Sequence, residues 1–189
     1  LAQDLSQCGN AQNLKIDALN QLSKARQRQL LSSWMRGESS YRPAFEMVQR
    51  LVDEVIESKK DAQSALHWNG FYYVRFQKVL YRLDKATYLA DQHNLKLNQQ
   101  IQFSLNQFVK VESGNFQIES AAMGLNFALL NQRLTLTLRQ GGEKLHLYGR
   151  VGAWPLKKAI QEAQIFPWTR HTIQILSIDN VMLGVFTPK

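Results

Sequence analysis

Four cations in the last quarter of the chain, Arg150, Lys157, Lys158 and Arg170, offer most of the chemistry this sequence contains. Lys157 and Lys158 fall in the first turn of a helical pattern, where a helix already carries unpaired N–H groups and a partial positive charge. An anion such as a phosphate would relieve that crowding, and Arg150 just ahead of the helix would add to the attraction. The same residues also suit a solvated basic face in which Lys158 pairs with Glu162. Catalytic groupings do not accompany them. His67, His93, His146 and His171 have no metal-like spacing, Cys8 is single, and neither a nucleophile elbow nor a zinc-protease helix is present. The expected activity is therefore binding, with no catalytic residue and no metal ligand.

The elements that must position these cations are legible from spacing. Pro155 suits the first helical position because it lacks the N–H that would be left unpaired there. Leu156, Ala159, Ile160 and Ala163 then make one apolar stripe, and Lys157, Lys158 and Gln161 share another face. The break at Phe166-Pro167-Trp168 ends the helix, with Trp168 expected to pack beneath it. Strands are expected over Ile173–Ile178 and Val181–Phe186, joined at Asp179-Asn180. Upstream, alternation points to strands at Ile101–Leu105, Phe108–Glu112, Phe116–Ser120 and Leu134–Leu138, with Ser113-Gly114-Asn115 as one turn and Gly141-Gly142 as a hairpin turn.

The first half reads differently. A helix end over residues 1–8 meets a Gly9-Asn10 break, and Leu14–Ile16 is a short extended piece. Ser23 is a suitable N-cap for a helix with Leu30, Leu31, Trp34 and Met35 on its buried face and Gly37 as its stop. Arg26 and Arg28 lie outside that face, either as solubilising charges or turned toward a nucleic acid. A second helix, Pro43–Ser58, buries Val48, Leu51, Val52, Val55 and Ile56. Asn69-Gly70 then marks a hairpin that pairs Leu66 with Tyr73, His67 with Tyr72 and Trp68 with Phe71, and Val79–Leu83 completes a meander. Its aromatics, interleaved with Arg75, Lys78 and Arg82, suit either a small core or the stacking of bases. The polar stretch 86–98 marks a boundary. The expected fold is α+β: a helical domain with a small antiparallel meander over 1–90, then a mostly antiparallel β domain with one packed helix over 91–189.

Leu156-Lys157-Lys158, Glu162, Pro167-Trp168, Arg170 and the closing Gly184-Val185 resemble the C-terminal domain of the tRNA(Ile)-lysidine synthetase family. Upstream, Leu22-Ser23, Ala25-Arg26, Arg28, Leu30-Leu31, Trp34, Asn69-Gly70-Phe71 and Arg75 resemble the same family, so the likeness spans nearly the whole chain. Two departures stand out: His171-Thr172-Ile173 where the family has a proline after the arginine, and Phe166-Pro167 where it has a proline pair. The resemblance implies tRNA(Ile) with a CAU anticodon as partner, contacted from both domains. It also implies a separate N-terminal catalytic domain that uses ATP and lysine; the glycine-serine loop such a domain would carry does not occur here.

Composition narrows the classes further. The 189 residues carry a net charge of +8, and between Arg133 and Arg170 seven cations face only Glu143 and Glu162, a footprint suited to nucleic acid. No apolar run nears the length of a membrane span. One cysteine fits a reducing, cytoplasmic setting, and Leu1 reads as a cut start with further chain expected before it. A protein-interaction module, anchored on Trp154, Phe166 and Trp168, is the competing class.

Overall fold

The protein is described by a computed structural model covering residues 2–59, 64–89, 98–126, 128–129, 132–146 and 151–188. Its chain divides into two compact units, Leu1–Ala90 and Asp91–Lys189. The α+β class expected from the sequence holds: helices dominate the first unit and antiparallel strands the second.

In the first unit, α1 (Ala2–Cys8), β1 (Asn13–Lys15) and α2 (Ile16–Leu19) precede α3 (Lys24–Arg36) and α4 (Phe45–Arg50), which runs on as a π-helix over Leu51–Ile56. Strands β2 (Ala65–Trp68), β3 (Phe71–Phe76) and β4 (Val79–Asp84) and the short α5 (Lys85–Tyr88) complete it. Ser23 caps α3 by accepting from the Arg26 N–H, and Gly37 closes it at φ 54, its own N–H bonded to the Ser33 carbonyl. Any side chain at Gly37 would also meet the Arg82 guanidinium, 2.6 Å from where its Cβ would lie. The expected apolar faces of the two long helices meet each other and the inner face of the sheet: Leu30, Leu31, Trp34, Met35, Val48, Leu51, Val55, Leu66, Tyr73 and Leu80 form one core. Trp34 meets Tyr73 edge-on at 5.6 Å and donates to the Asn10 carbonyl. The Tyr73 hydroxyl donates to the Met35 carbonyl. Burial pushes the Tyr73 pKa up to about 12, against the opposing pull of Arg82.

The hairpin pairs as its turn residues dictate, Leu66 with Tyr73, His67 with Tyr72 and Trp68 with Phe71, and Asn69 and Gly70 both take the positive φ that a type I′ turn requires. One element escapes the pattern. Strand β1 joins the outer edge of β4, Asn13 opposite Tyr81, giving the sheet order β1-β4-β3-β2. The second helix is shorter than expected and its second half winds with π geometry, which apolar spacing alone does not distinguish from α.

The second unit contains β5 (Asn98–Ile101), β6 (Phe108–Val111), β7 (Gly114–Gln117), β8 (Leu134–Leu138), β9 (Lys144–Leu145), β10 (Trp154–Pro155), α6 (Leu156–Glu162), a 3-10 helix (Pro167–Thr172), β11 (Gln174–Ile178) and β12 (Val181–Phe186). Its main sheet runs β12-β11-β8-β5, with β6–β7 and β9–β10 as separate two-stranded pieces. Both faces of the main sheet are covered. Leu134, Leu136 and Leu176 pack with Phe103 and Val111, whereas Ile173 and Ile175 pack with Leu145, Leu156, Ile160 and Ile165. That two-sided burial matches Ile175 and Leu176, adjacent in β11, both buried and packed into different clusters. Even Gln174 is wholly buried, its side-chain oxygen accepting from the Glu112 N–H.

Three local expectations are corrected. The first strand lies at Asn98–Ile101, before the alternating stretch, because its partner β8 sets the register from Asn98 opposite Thr137 to Ile101 opposite Leu134. The β6–β7 turn is Glu112-Ser113, with Val111 opposite Gly114, so the glycine opens β7. Gly141 and Gly142 do not form a hairpin turn: β8 pairs with β5 and β11, and the chain beyond the glycines enters the β9–β10 piece. Among the described residues no helix is long and apolar enough to cross a membrane.

Candidate nucleic-acid interface

The cationic stretch is held by the β9–β10 piece and by α6. Pro155 lies opposite Lys144 and is extended at φ −60 and ψ 126, so it precedes the helix rather than beginning it. The Leu156 N–H donates to the Glu143 carbonyl, so the chain itself satisfies the first amide of α6. Leu156 and Ile160 are buried, Ala159 is half-buried and Ala163 is exposed; Ile165, bonded through its N–H to the Ile160 carbonyl, fills the place expected of Ala163. The opposite face of α6 presents Lys157 and Lys158 to solvent, with the Lys158 ammonium 5.4 Å above the Trp154 ring.

Beyond α6, Phe166 and Trp168 stack on each other, centroids 4.8 Å apart and planes within 9°. Trp168 is therefore half-buried against Phe166 and is not part of the core beneath α6. In the same 3-10 helix Arg170 is half-buried and spends its Nε on the Ile165 carbonyl at 3.0 Å. Burial, and then the charge of Arg139, pull its pKa below the ordinary guanidinium value.

Arg139 follows β8 directly, and its backbone N–H donates to the Ile173 carbonyl. Its Nε is buried without a hydrogen bond, 3.7 Å from the Glu143 carboxylate and too far to donate to it. Glu143 is fixed by the loop before it, one oxygen accepting from the Gln140 N–H at 2.5 Å and the Gly141 N–H at 2.7 Å. Burial alone would raise its pKa, but those bonds and the Arg139 charge outweigh it and hold the carboxyl below its usual range. Gly141 and Gly142, both at positive φ, let the loop turn its amides onto that carboxylate. The sequence marks Arg139 only as part of a charge excess; the position just past β8, with a carboxylate four residues on, is the signal that singles it out.

Arg150 lies outside the described residues. Arg26 and Arg28 belong to the first unit and are engaged there: Arg26 pairs with the buried Asp4 of α1, and Arg28 bonds to Gln49 and lies over the Phe45 ring. Arg75 donates to the Ile56 and Lys59 carbonyls, Lys78 pairs with Asp17, and Arg82 sits 3.8 Å over the Phe71 ring. The cations among the hairpin aromatics thus serve the fold of their own unit. Beside α6, the second unit also has an apolar groove of about 300 Å³ lined by Leu145, Leu156, Ile160, Ile165, Met182 and Val185.

Residues 14–81, from β1 into β4, match the TilS substrate binding domain, and residues 134–186, from β8 through β12, match the TilS substrate C-terminal domain. The chain belongs to the tRNA(Ile)-lysidine synthetase family. A tRNA(Ile)-lysidine synthase of Acinetobacter baylyi is 59% identical over all 189 residues. Those of Serratia proteamaculans and Escherichia coli are 29% and 26% identical over 92% and 97% of the chain. In each case the chain spans only about two fifths of the relative's length, 41%, 39% and 42% in turn. What it shares with the synthetase family is the pair of substrate domains, and the cationic face of α6 and the Arg139–Arg170 neighbourhood both lie in the second.

Proposed function

We propose that this chain is the tRNA-holding part of a tRNA(Ile)-lysidine synthetase, which attaches lysine to the wobble cytidine of tRNA(Ile) bearing a CAU anticodon, at the expense of ATP, in the cytoplasm. The observation that carries the reading is the coincidence of a substrate C-terminal domain match with a face where Lys157 and Lys158 stand exposed. ATP and lysine would be handled by an N-terminal catalytic domain, which is the chain's second partner in this proposal. Arg150, Lys157, Lys158 and Arg170 would bind tRNA phosphates, fixing position rather than reading sequence. Arg26 and Arg28 would take a smaller share, since each already holds a partner within its unit.

Fluorescence-anisotropy titration of a tRNA(Ile) transcript and of an unrelated RNA duplex, at several salt concentrations, tests this. Binding that prefers the tRNA and weakens steeply with salt is expected; salt-insensitive binding, or none, would sink the proposal. The competing reading, a protein-interaction surface anchored on Trp154, Phe166 and Trp168, is favoured by the half-exposed Phe166–Trp168 stack, and it predicts no RNA preference. The proposal also assigns catalysis elsewhere. With ATP, lysine and tRNA this chain alone should form no lysidine, and product above a protein-free control would contradict that.

A further inference from the structure

From the geometry at the end of β8 we infer that Arg139 and Arg170 form a two-guanidinium clamp for one backbone phosphate of an RNA, with Glu143 as the residue that positions Arg139. This rests on the tRNA-binding reading and deepens it by adding Arg139, Glu143 and a defined ligand group. Backbone pairing brings the two arginines together: the Arg139 N–H bonds to the Ile173 carbonyl, and the Ile173 N–H bonds to the Arg170 carbonyl. Arg170 uses Nε on the Ile165 carbonyl, which aims its fork, and among the described residues its terminal nitrogens have no hydrogen-bond partner. The Arg139 guanidinium makes no hydrogen bond among the described residues, although its Nε is buried.

A buried N–H without an acceptor is costly, and two guanidiniums near one another raise that cost. The carboxylate that positions Arg139 is that of Glu143, which keeps one oxygen on the loop amides of Gln140 and Gly141 and the other 3.7 Å from the Arg139 Nε, an ion pair too long to be a hydrogen bond. Among the described residues Glu143 pairs with Arg139 and no carboxylate pairs with Arg170, so the two arginines retain a positive charge suited to the single negative charge of a phosphodiester. A planar fork that accepts two phosphate oxygens at once is the group best suited to that ligand. Lys144, exposed beside Glu143, adds attraction at longer range.

The test uses the full chain labelled at arginine nitrogen. With inorganic phosphate as probe, the Arg139 and Arg170 Nε–H signals should shift together and saturably, and a titration that moves neither overturns the clamp. Arg139→Gln should weaken tRNA binding about tenfold and flatten the slope of log affinity against log salt by about one unit, with an unchanged melting temperature. Arg139→Lys should keep the slope and still lose affinity, because it retains the charge without the fork. A folded Arg139→Gln variant with unaltered affinity and slope refutes the inference. If that variant does not fold, the wild-type phosphate titration decides. tRNA with and without its 5′-phosphate should bind alike, and a requirement for that terminal dianion would refute the diester assignment. Should the wild-type chain bind no tRNA at all, the broader reading fails by itself, and the phosphate titration still reports on the clamp.

Discussion

The two units carry equal excess charge, 13 basic against 9 acidic residues over 1–90 and 10 against 6 over 91–189, yet they employ it in opposite ways. In the first, cations are tied into the fold: Arg26 to Asp4, Arg50 to Glu54, Lys78 to Asp17, and Arg75 to two carbonyls at the end of the π-helix. In the second, Lys144, Lys157 and Lys158 project into solvent, Arg139 faces a carboxylate that the loop has already engaged, and Arg170 is bonded to a backbone carbonyl. Net charge therefore does not measure what a surface can offer to RNA. The partners of each cation do.

Substitutions that separate folding from binding sharpen this contrast. The largest loss of stability is expected for Arg75→Ala, which removes two charge-assisted bonds to the Ile56 and Lys59 carbonyls, each 2.8 Å long; about 3 kcal/mol should disappear from denaturant unfolding, with tRNA affinity unaltered. An alkaline titration should come next. Because burial raises the Tyr73 pKa to about 12, its contribution is intact below about pH 10 and is lost as pH climbs toward 12, worth about 2–3 kcal/mol by linkage. Tyr73→Phe should make that decline shallower without abolishing it, since burial also raises Tyr81, Tyr88 and Cys8. Unfolding of the two proteins monitored between pH 9 and about pH 12 would show it.

Arg26→Ala should cost less, about 1–2 kcal/mol, because the Arg26 side chain is 60% exposed although its partner Asp4 is buried. A fall in tRNA affinity larger than that loss of stability would break the contrast between the units. The smallest effect on folding belongs to Lys157→Ala with Lys158→Ala, within about 0.5 kcal/mol, since alanine favours the helix and two cations leave its N-terminus. The same double variant should lower tRNA affinity and flatten the salt slope by about two units. An unchanged slope would show that the α6 face is not where phosphates bind.

How far the sequence foretold these features depended on where the deciding partner lay. The Asn69-Gly70 hairpin, the Ser23 cap and the apolar faces of the two long helices were legible because each is set by neighbours a few residues away. The β5 register, the β6–β7 turn and the fate of Gly141-Gly142 were not, because β8 selects partners from both sides of the chain, and alternation says which face a residue takes but not which strand it meets. The site divided along the same line. Lys157 and Lys158 stood out through helical spacing, whereas the importance of Arg139 emerges only once Ile173 is beside it. For Arg26 and Arg28 the sequence showed exposure and charge but not the Asp4 and Gln49 that hold them.

The edge strand β1 carries a consequence for the order of assembly. Asn13 through Lys15 pair with Tyr81 through Val79, so β1, which precedes the other strands of this unit in the chain, must wait for β4 before its amides and carbonyls find a ladder. Closing so long a loop contributes an entropic delay that the local hairpin of β2 and β3 does not share. During synthesis α3 and the meander can form while β1 is still a bare edge. The turn at Gly9 and Asn10, where a side-chain oxygen of Asn10 collects the Gln12 and Asn13 amides and its carbonyl receives Trp34, gives that waiting strand a shape of its own. A pulsed hydrogen-exchange experiment should accordingly find the amides of β1 protected last in the unit, after those of β3.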